Sequence, residues 1–141
     1  MQEENGKPIV LVQDVGRVRV LTMNRPDKLN AFNDALFSGL ADSFADATVA
    51  DNIHVVVLTG AGRAFSAGAD LQQMGNAATA TSPEVWREPV DDPFARLQQI
   101  VESFPKPLVA AVNGVGVGLG RTLRRLQRFR NGEKARRPGS A

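Results

Sequence analysis

Twice in this chain a short apolar run passes directly into a stretch of small residues. IHVVVLT (53–59) leads through Gly60-Ala61-Gly62 into AFSAGADL (64–71), and LVAAV (108–112) leads into NGVGVGLG (113–120). Apolar runs of this length, rich in β-branched residues, predict strands buried on both faces of a sheet covered by helices. The small residues that follow let the backbone approach something closely, because no side chain stands in the way. What approaches, and whether the chain can act on it, is the question these two stretches pose.

The elements around them fit one sheet. PIVLVQD (8–14) and RVRVLTMN (17–24), separated by Val15-Gly16, predict an antiparallel hairpin. Asn33 reads as an N-cap with Asp34 in the first turn, and Phe32, Leu36, Leu40 and Phe44 mark the buried face of a helix over 33–48. Phe94, Leu97, Val101 and Phe104 return to helical spacing until Pro105 and Pro107 stop it. Strand, helix, strand, helix, strand is the order of stacked βαβ units, so the fold class is α/β. Residues 75–92, rich in Ala, Thr, Ser and Pro and without a period, read as a mobile loop.

Charge divides the chain unevenly. The formal net charge is +2, yet residues 1–120 hold 9 Lys+Arg against 14 Asp+Glu, and residues 121–141 hold 8 against Glu133 alone. An acidic domain over 1–120 thus carries a basic tail over 121–141, expected to be disordered or read out of frame. The tail has one aromatic, Phe129, and only Leu123 and Leu126 as large aliphatics, which is thin for a packed helix or a nucleic-acid surface. No nucleic-acid or membrane partner is expected.

Several functions are excluded by what the sequence lacks. Without cysteine there are no disulfides and no thiolate metal site, and no metal is expected. The polar, acidic start MQEENGKP is not a signal peptide, and no apolar stretch spans a bilayer, so a cytoplasmic protein is expected. GVGVGLG does not fit a dinucleotide fingerprint, since either register would need glycine at Leu119 or Arg121. Ser66 lacks the upstream glycine of a nucleophile elbow, and His54 opens an apolar strand where a structural role is expected.

Two small-residue turns leaving neighbouring parallel strands can aim two backbone N–H groups at one oxygen, the geometry of an oxyanion hole. Asp70 can cap a helix that follows the first turn. Ordinary tight turns would produce the same spacing.

Three segments carry a more specific signal. LTMNRPDKLNAF (21–32), VVVLTGAGRAFSAGADL (55–71) and KPLVAAVNGVGVGLG (106–120) together resemble the N-terminal half of the enoyl-CoA hydratase/isomerase family, which has the crotonase fold of ββα units. The resemblance covers residues 8–120. It implies that an acyl-CoA thioester binds with its carbonyl oxygen between the backbone N–H groups of Ala69 and Leu119, and that the hole stabilises a thioester enolate. It also implies that Ala67, Asp70 and Leu71 wrap the coenzyme A moiety, that Lys28 and Leu29 line its path, and that Gly118 is among the substrate-binding residues. Coenzyme A is then part of the substrate and no further cofactor is implied. Family members are typically homotrimers or hexamers. Trp86 would either cover an acyl chain or act as a surface anchor.

The sequence departs from the family where acid–base chemistry would be expected. Many family hydratases carry a glutamate just after the second glycine run, where this chain has Thr122, and no acid lies between Glu102 and Glu133. Three classes of function stay open. One is a hydratase or isomerase of fatty-acid metabolism; another is a truncated, catalytically inactive acyl-CoA-binding fragment, and the third is a basic-tail interaction protein. A shifted reading frame from Gly120–Arg121 is the expected origin of the tail.

Overall fold

The computed structural model describes residues 2–70 and 92–116, and the backbone of 129–130. A small antiparallel ribbon, β1 (Glu3–Glu4) with β2 (Lys7–Pro8), precedes the main sheet. The expected hairpin is formed, with its turn one residue later than expected: β3 (Val10–Val15) pairs antiparallel with β4 (Val18–Met23) around Gly16-Arg17, because Val15 pairs with Val18. Gly16 takes φ +59°, the conformation a two-residue hairpin turn requires.

The chain then crosses over the sheet through α1 (Asp34–Val49) to β5 (Val55–Gly60), which lies parallel to β4. Asn33 caps α1, its side-chain oxygen accepting from the Leu36 N–H at 2.9 Å. Beyond residue 91, α2 (Pro93–Glu102) leads to β7 (Leu108–Val112), parallel to β5. At the far edge β9 (Phe129–Arg130) runs parallel to β7, pairing Phe129 with Ala111 and Arg130 with Val112. Two residues of the basic tail therefore extend the sheet. The order is β3-β4-β5-β7-β9.

Both helices lie on one face of this sheet. Leu21, Met23, Val56, Leu58, Leu108 and Ala110 point into that layer and bury against Leu36, Leu40, Phe44 and Leu97. Phe104 closes the end of the core with its ring edge against Phe44, centroids 5.4 Å apart. Neither helix supplies a basic residue to the C-terminus of α1. Lys106 does so from beyond α2, donating to the Ala47 and Ala50 carbonyls at 2.6 and 2.7 Å.

The expectation of burial on both faces is corrected. Along β5, Val56, Leu58 and Gly60 are buried, whereas Val55, Val57 and Thr59 are only half-buried. Valine on both faces hides this alternation, since its apolar surface looks the same whichever side it points to. Phe32, placed on the helix face by its spacing, lies before the helix and stacks on Phe37 with centroids 5.0 Å apart.

Ala64–Phe65–Ser66, read as part of a turn, form a strand, β6, which is buried throughout. It pairs in parallel with β8 (Val115–Gly116), so the two form a second, small sheet beyond the carboxyl ends of β5 and β7. The loop expected over 75–92 lies outside the described residues up to position 91. Among the described residues no helix is long and apolar enough to cross a membrane.

Candidate functional site

The AFSAGADL stretch owes its small residues to how tightly its backbone is held. Ser66 is fully buried and structural. Its hydroxyl donates to the Asn30 carbonyl at 2.8 Å and accepts the Gly68 N–H at 3.0 Å. Gly68 follows with φ +92°, a conformation that a side chain would strain. The next residue forms an isolated parallel bridge with Phe32, in which the Phe32 N–H donates to the Gly68 carbonyl at 2.7 Å and the Asp70 N–H donates to the Phe32 carbonyl at 2.8 Å.

Counting donors along this segment isolates one group. The Ala67 N–H goes to the Leu29 carbonyl at 2.8 Å, that of Gly68 to Ser66 and that of Asp70 to Phe32. Among the described residues, the Ala69 N–H alone of these four has no partner. A residue at the centre of a parallel bridge turns its own N–H away from the partner strand. Ala69 is exposed, so this donor faces outward.

The segment that bears Lys28 and Leu29 packs alongside. Pro26–Lys28 form a short 3-10 turn, and Leu29 and Asn30 then adopt φ +52° and +54°. Lys28 is exposed, and Leu29 meets Ala67 through the hydrogen bond above. Two of the sequence-expected binding segments, 28–29 and 67–70, are thus brought together.

Asp70 is held by a residue the sequence reading did not single out. Arg25 is buried, and its guanidinium lies 3.3 Å from the Asp70 carboxylate, pairs doubly with Glu4 at 2.7 and 3.0 Å, and also donates to the Ala31 carbonyl. Arg25 follows Asn24 at the exit of β4 and precedes Pro26, and nothing local in that tripeptide marks a buried charge. Its partners come from positions 4 and 70, which only the fold brings together.

The second glycine stretch enters beside the first. Asn113 donates to the Gly62 and Ala64 carbonyls at 3.0 and 3.2 Å and accepts from the Gly60 N–H at 3.2 Å, which locks the end of β7 to the turn after β5. Because β6 and β8 are parallel neighbours, the chain leaves both at the same end. Leu71, Gly118, Leu119, Thr122 and Trp86 lie outside the described residues.

Comparison with known proteins bears on the family and the fold. The family model for enoyl-CoA hydratase/isomerase matches residues 14–126, six residues past the point where the sequence resemblance was taken to end. The chain is 40% identical over 106 residues to a 1,2-epoxyphenylacetyl-CoA isomerase of Escherichia coli K12, covering 75% of this chain and 40% of that one. It is 42% identical over 116 residues to a 2,3-dehydroadipyl-CoA hydratase of the same organism, covering 79% and 41%. Among solved structures, an enoyl-CoA hydratase from Mycobacterium marinum superposes with a TM-score of 0.67 at 44% identity, covering 79% of this chain and 51% of that one.

The mixed α/β architecture is part of a crotonase fold. The chain belongs to the enoyl-CoA hydratase/isomerase family. It spans about two fifths of the length of the curated relatives it matches.

Proposed function

We propose that this chain binds acyl-CoA thioesters and polarises the thioester carbonyl with the backbone N–H of Ala69. What supports this is that, of the four N–H groups at 67–70, only that of Ala69 has no partner among the described residues. An oxyanion donor has to be held rigidly and left unspent, because its worth lies in needing no reorganisation when charge develops. Leu119 would supply the second N–H, from the stretch that follows β8 as residues 67–70 follow β6. Lys28, Leu29, Ala67, Asp70 and Leu71 would flank the coenzyme A moiety, with Gly118 among the substrate-binding residues. The exposed Lys28 ammonium suits a phosphate-bearing ligand.

The chemistry open to such a site is stabilisation of a thioester enolate, where losing one donor typically costs ~10²–10³ in rate. Addition of water also needs a group that takes and returns a proton near neutral pH. The Thr122 hydroxyl, where the family resemblance expects a glutamate, does not ionise in that range. The chain is therefore proposed to bind and polarise thioesters without hydrating them at the rate of family hydratases.

Titration calorimetry with acetoacetyl-CoA and with free CoA tests the binding. Tighter binding of the thioester is expected, and equal affinity in folded protein would sink the proposal. Crotonyl-CoA should keep its unsaturated-thioester absorbance in the presence of the 141-residue chain. Turnover at the rate of full-length relatives would mean that a proton-transfer group exists elsewhere.

A further inference from the structure

Two peptide groups connect the buried Arg25 to the Ala69 N–H. The Arg25 guanidinium donates through Nη1 to the Ala31 carbonyl. That carbonyl shares a peptide unit with the Phe32 N–H, which donates to the Gly68 carbonyl at 2.7 Å. The Gly68 carbonyl in turn shares a peptide unit with the Ala69 N–H. All peptide bonds here are trans, so in each unit the N–H points opposite to the C=O. Cation, peptide, peptide and the Ala69 donor therefore follow one another in a single directional chain.

We propose that Arg25 is a positioning residue that aims and polarises the Ala69 N–H through the Ala31–Phe32 and Gly68–Ala69 peptide units, an inference that rests on the thioester site proposed above. Positioning follows from rigidity. The direction of the Ala69 N–H is fixed once its peptide plane is fixed, and that plane is held at the Gly68 oxygen by Phe32. The plane of Phe32 is held at the Ala31 oxygen by Arg25. Polarisation follows from order, since hydrogen bonds in series strengthen one another and a cation at the carbonyl end draws electron density from each N–H beyond it.

The surroundings of Arg25 fit this role. Its own backbone is fixed by Asn30, whose side-chain oxygen accepts the Arg25 N–H at 2.8 Å, and the Arg25 carbonyl accepts from Lys28 and Asn30. Glu4 takes Nε and Nη2, and the Asp70 carboxylate lies 3.3 Å from Nη2 and 3.4 Å from Nη1, so the close bond of Nη1 is the one to Ala31. A buried ion cluster contributes little net stability compared with an apolar replacement, so its placement is better explained by geometry than by fold energy. Asp70, next to Ala69 in sequence, ties the far side of the loop to the same cation.

The test uses the full chain with Arg25→Lys and Arg25→Met. Lysine keeps the charge but not the planar fork, and methionine keeps only the stem. In ligand-free protein the amide proton resonances of Phe32 and Ala69 should move upfield in both variants, while amides of the distant β3–β4 hairpin stay in place. With ligand, the ratio of acetoacetyl-CoA to CoA affinity should fall about ten-fold in Arg25→Met and by less in Arg25→Lys, a loss on the scale expected for a weakened charge-assisted donor. A merely structural role would lower both affinities together.

Unchanged Phe32 and Ala69 resonances overturn the proposal, as does an unchanged affinity ratio in a wild type that prefers the thioester. If the wild type shows no such preference, the thioester reading fails, and the ligand-free resonances decide the role of Arg25 by themselves. If Arg25→Met does not fold, Arg25→Lys carries the decision on both readouts.

Discussion

Asn30 and Asn113 donate to the same carbonyl oxygen, that of Ala64, at 2.9 and 3.2 Å. One comes from the loop before α1 and the other from the end of β7, and both also grip the Gly60–Ala64 turn, through the Ala61 and Gly62 carbonyls. Asn30 is fully buried, so replacing it by alanine takes its donor from the Ala61 carbonyl and its acceptor from the Arg25 N–H, and leaves the Ala64 carbonyl to Asn113. Asn30→Ala is expected to cost about 3 kcal/mol and the less buried Asn113→Ala about 1–2 kcal/mol. Because they share an acceptor, the double variant should depart from additivity by roughly 0.5 kcal/mol or more, read from urea midpoints.

Gly114 and Gly116 sit two residues apart and should respond unequally to alanine. A Cβ on Gly114 would collide with the backbone carbonyl of Arg63, and neither backbone can move without parting β6 from β8. On Gly116 it would meet only the Phe65 and Val112 side chains at 3.6 Å, ordinary contact. Gly114→Ala should destabilise by about 1–3 kcal/mol or more. Gly116→Ala should stay within about 0.5 kcal/mol of wild type in the same denaturation assay.

Lys106 closes α1 from outside the helix. Replacing it with methionine keeps its stem but removes the ammonium from the Ala47 and Ala50 carbonyls, of which Ala50 keeps the Ile53 N–H. A loss of about 1–2 kcal/mol is expected, with earlier amide exchange confined to the last turn of α1. Equal exchange along the whole helix would mean that the contact is not local.

Acid should erase one cross-strand contact. Arg19 pairs with Asp14 through two hydrogen bonds of 2.8 and 3.0 Å, and these hold the Asp14 carboxyl below its ordinary value. A carboxyl lowered in the folded state stabilises above its unfolded value, near pH 4, and that stabilisation is lost as pH falls through the folded value. Asp14 is exposed, so the effect is small and screened by salt. The difference in Tm between wild type and Asp14→Asn should therefore be positive at pH 6 and vanish as the pH falls below the ordinary carboxylate range.

Local pattern made the frame legible. The Gly16 hairpin, the Asn33 cap and the Leu36, Leu40 and Phe44 stripe each express a rule that acts within a few residues. The exposed Ala67 and Ala69 and the adjoining Lys28 and Leu29 were legible from the family motifs. Hidden from any local rule was whatever depends on distant partners. The buried charge of Arg25 is made tolerable by Glu4 and Asp70, and the role of Phe32 arises only once Gly68 lies beside it. The strand β6 escaped notice because three residues are too few to show a period.

The main sheet has its strands in the order in which they are synthesised. Running from β3 through β4, β5 and β7 to β9, each strand takes its place on the edge left by the one before it, and none is threaded between two already paired. Growth of this kind is vectorial. The nascent chain always presents a finished template to the next strand, and the β3–β4 hairpin, a local pairing within this sheet, is the seed. The cost of bringing ends together is met one crossover at a time rather than in a single long closure. A chain ordered in this way can add secondary structure at its leading edge without undoing any pair already made.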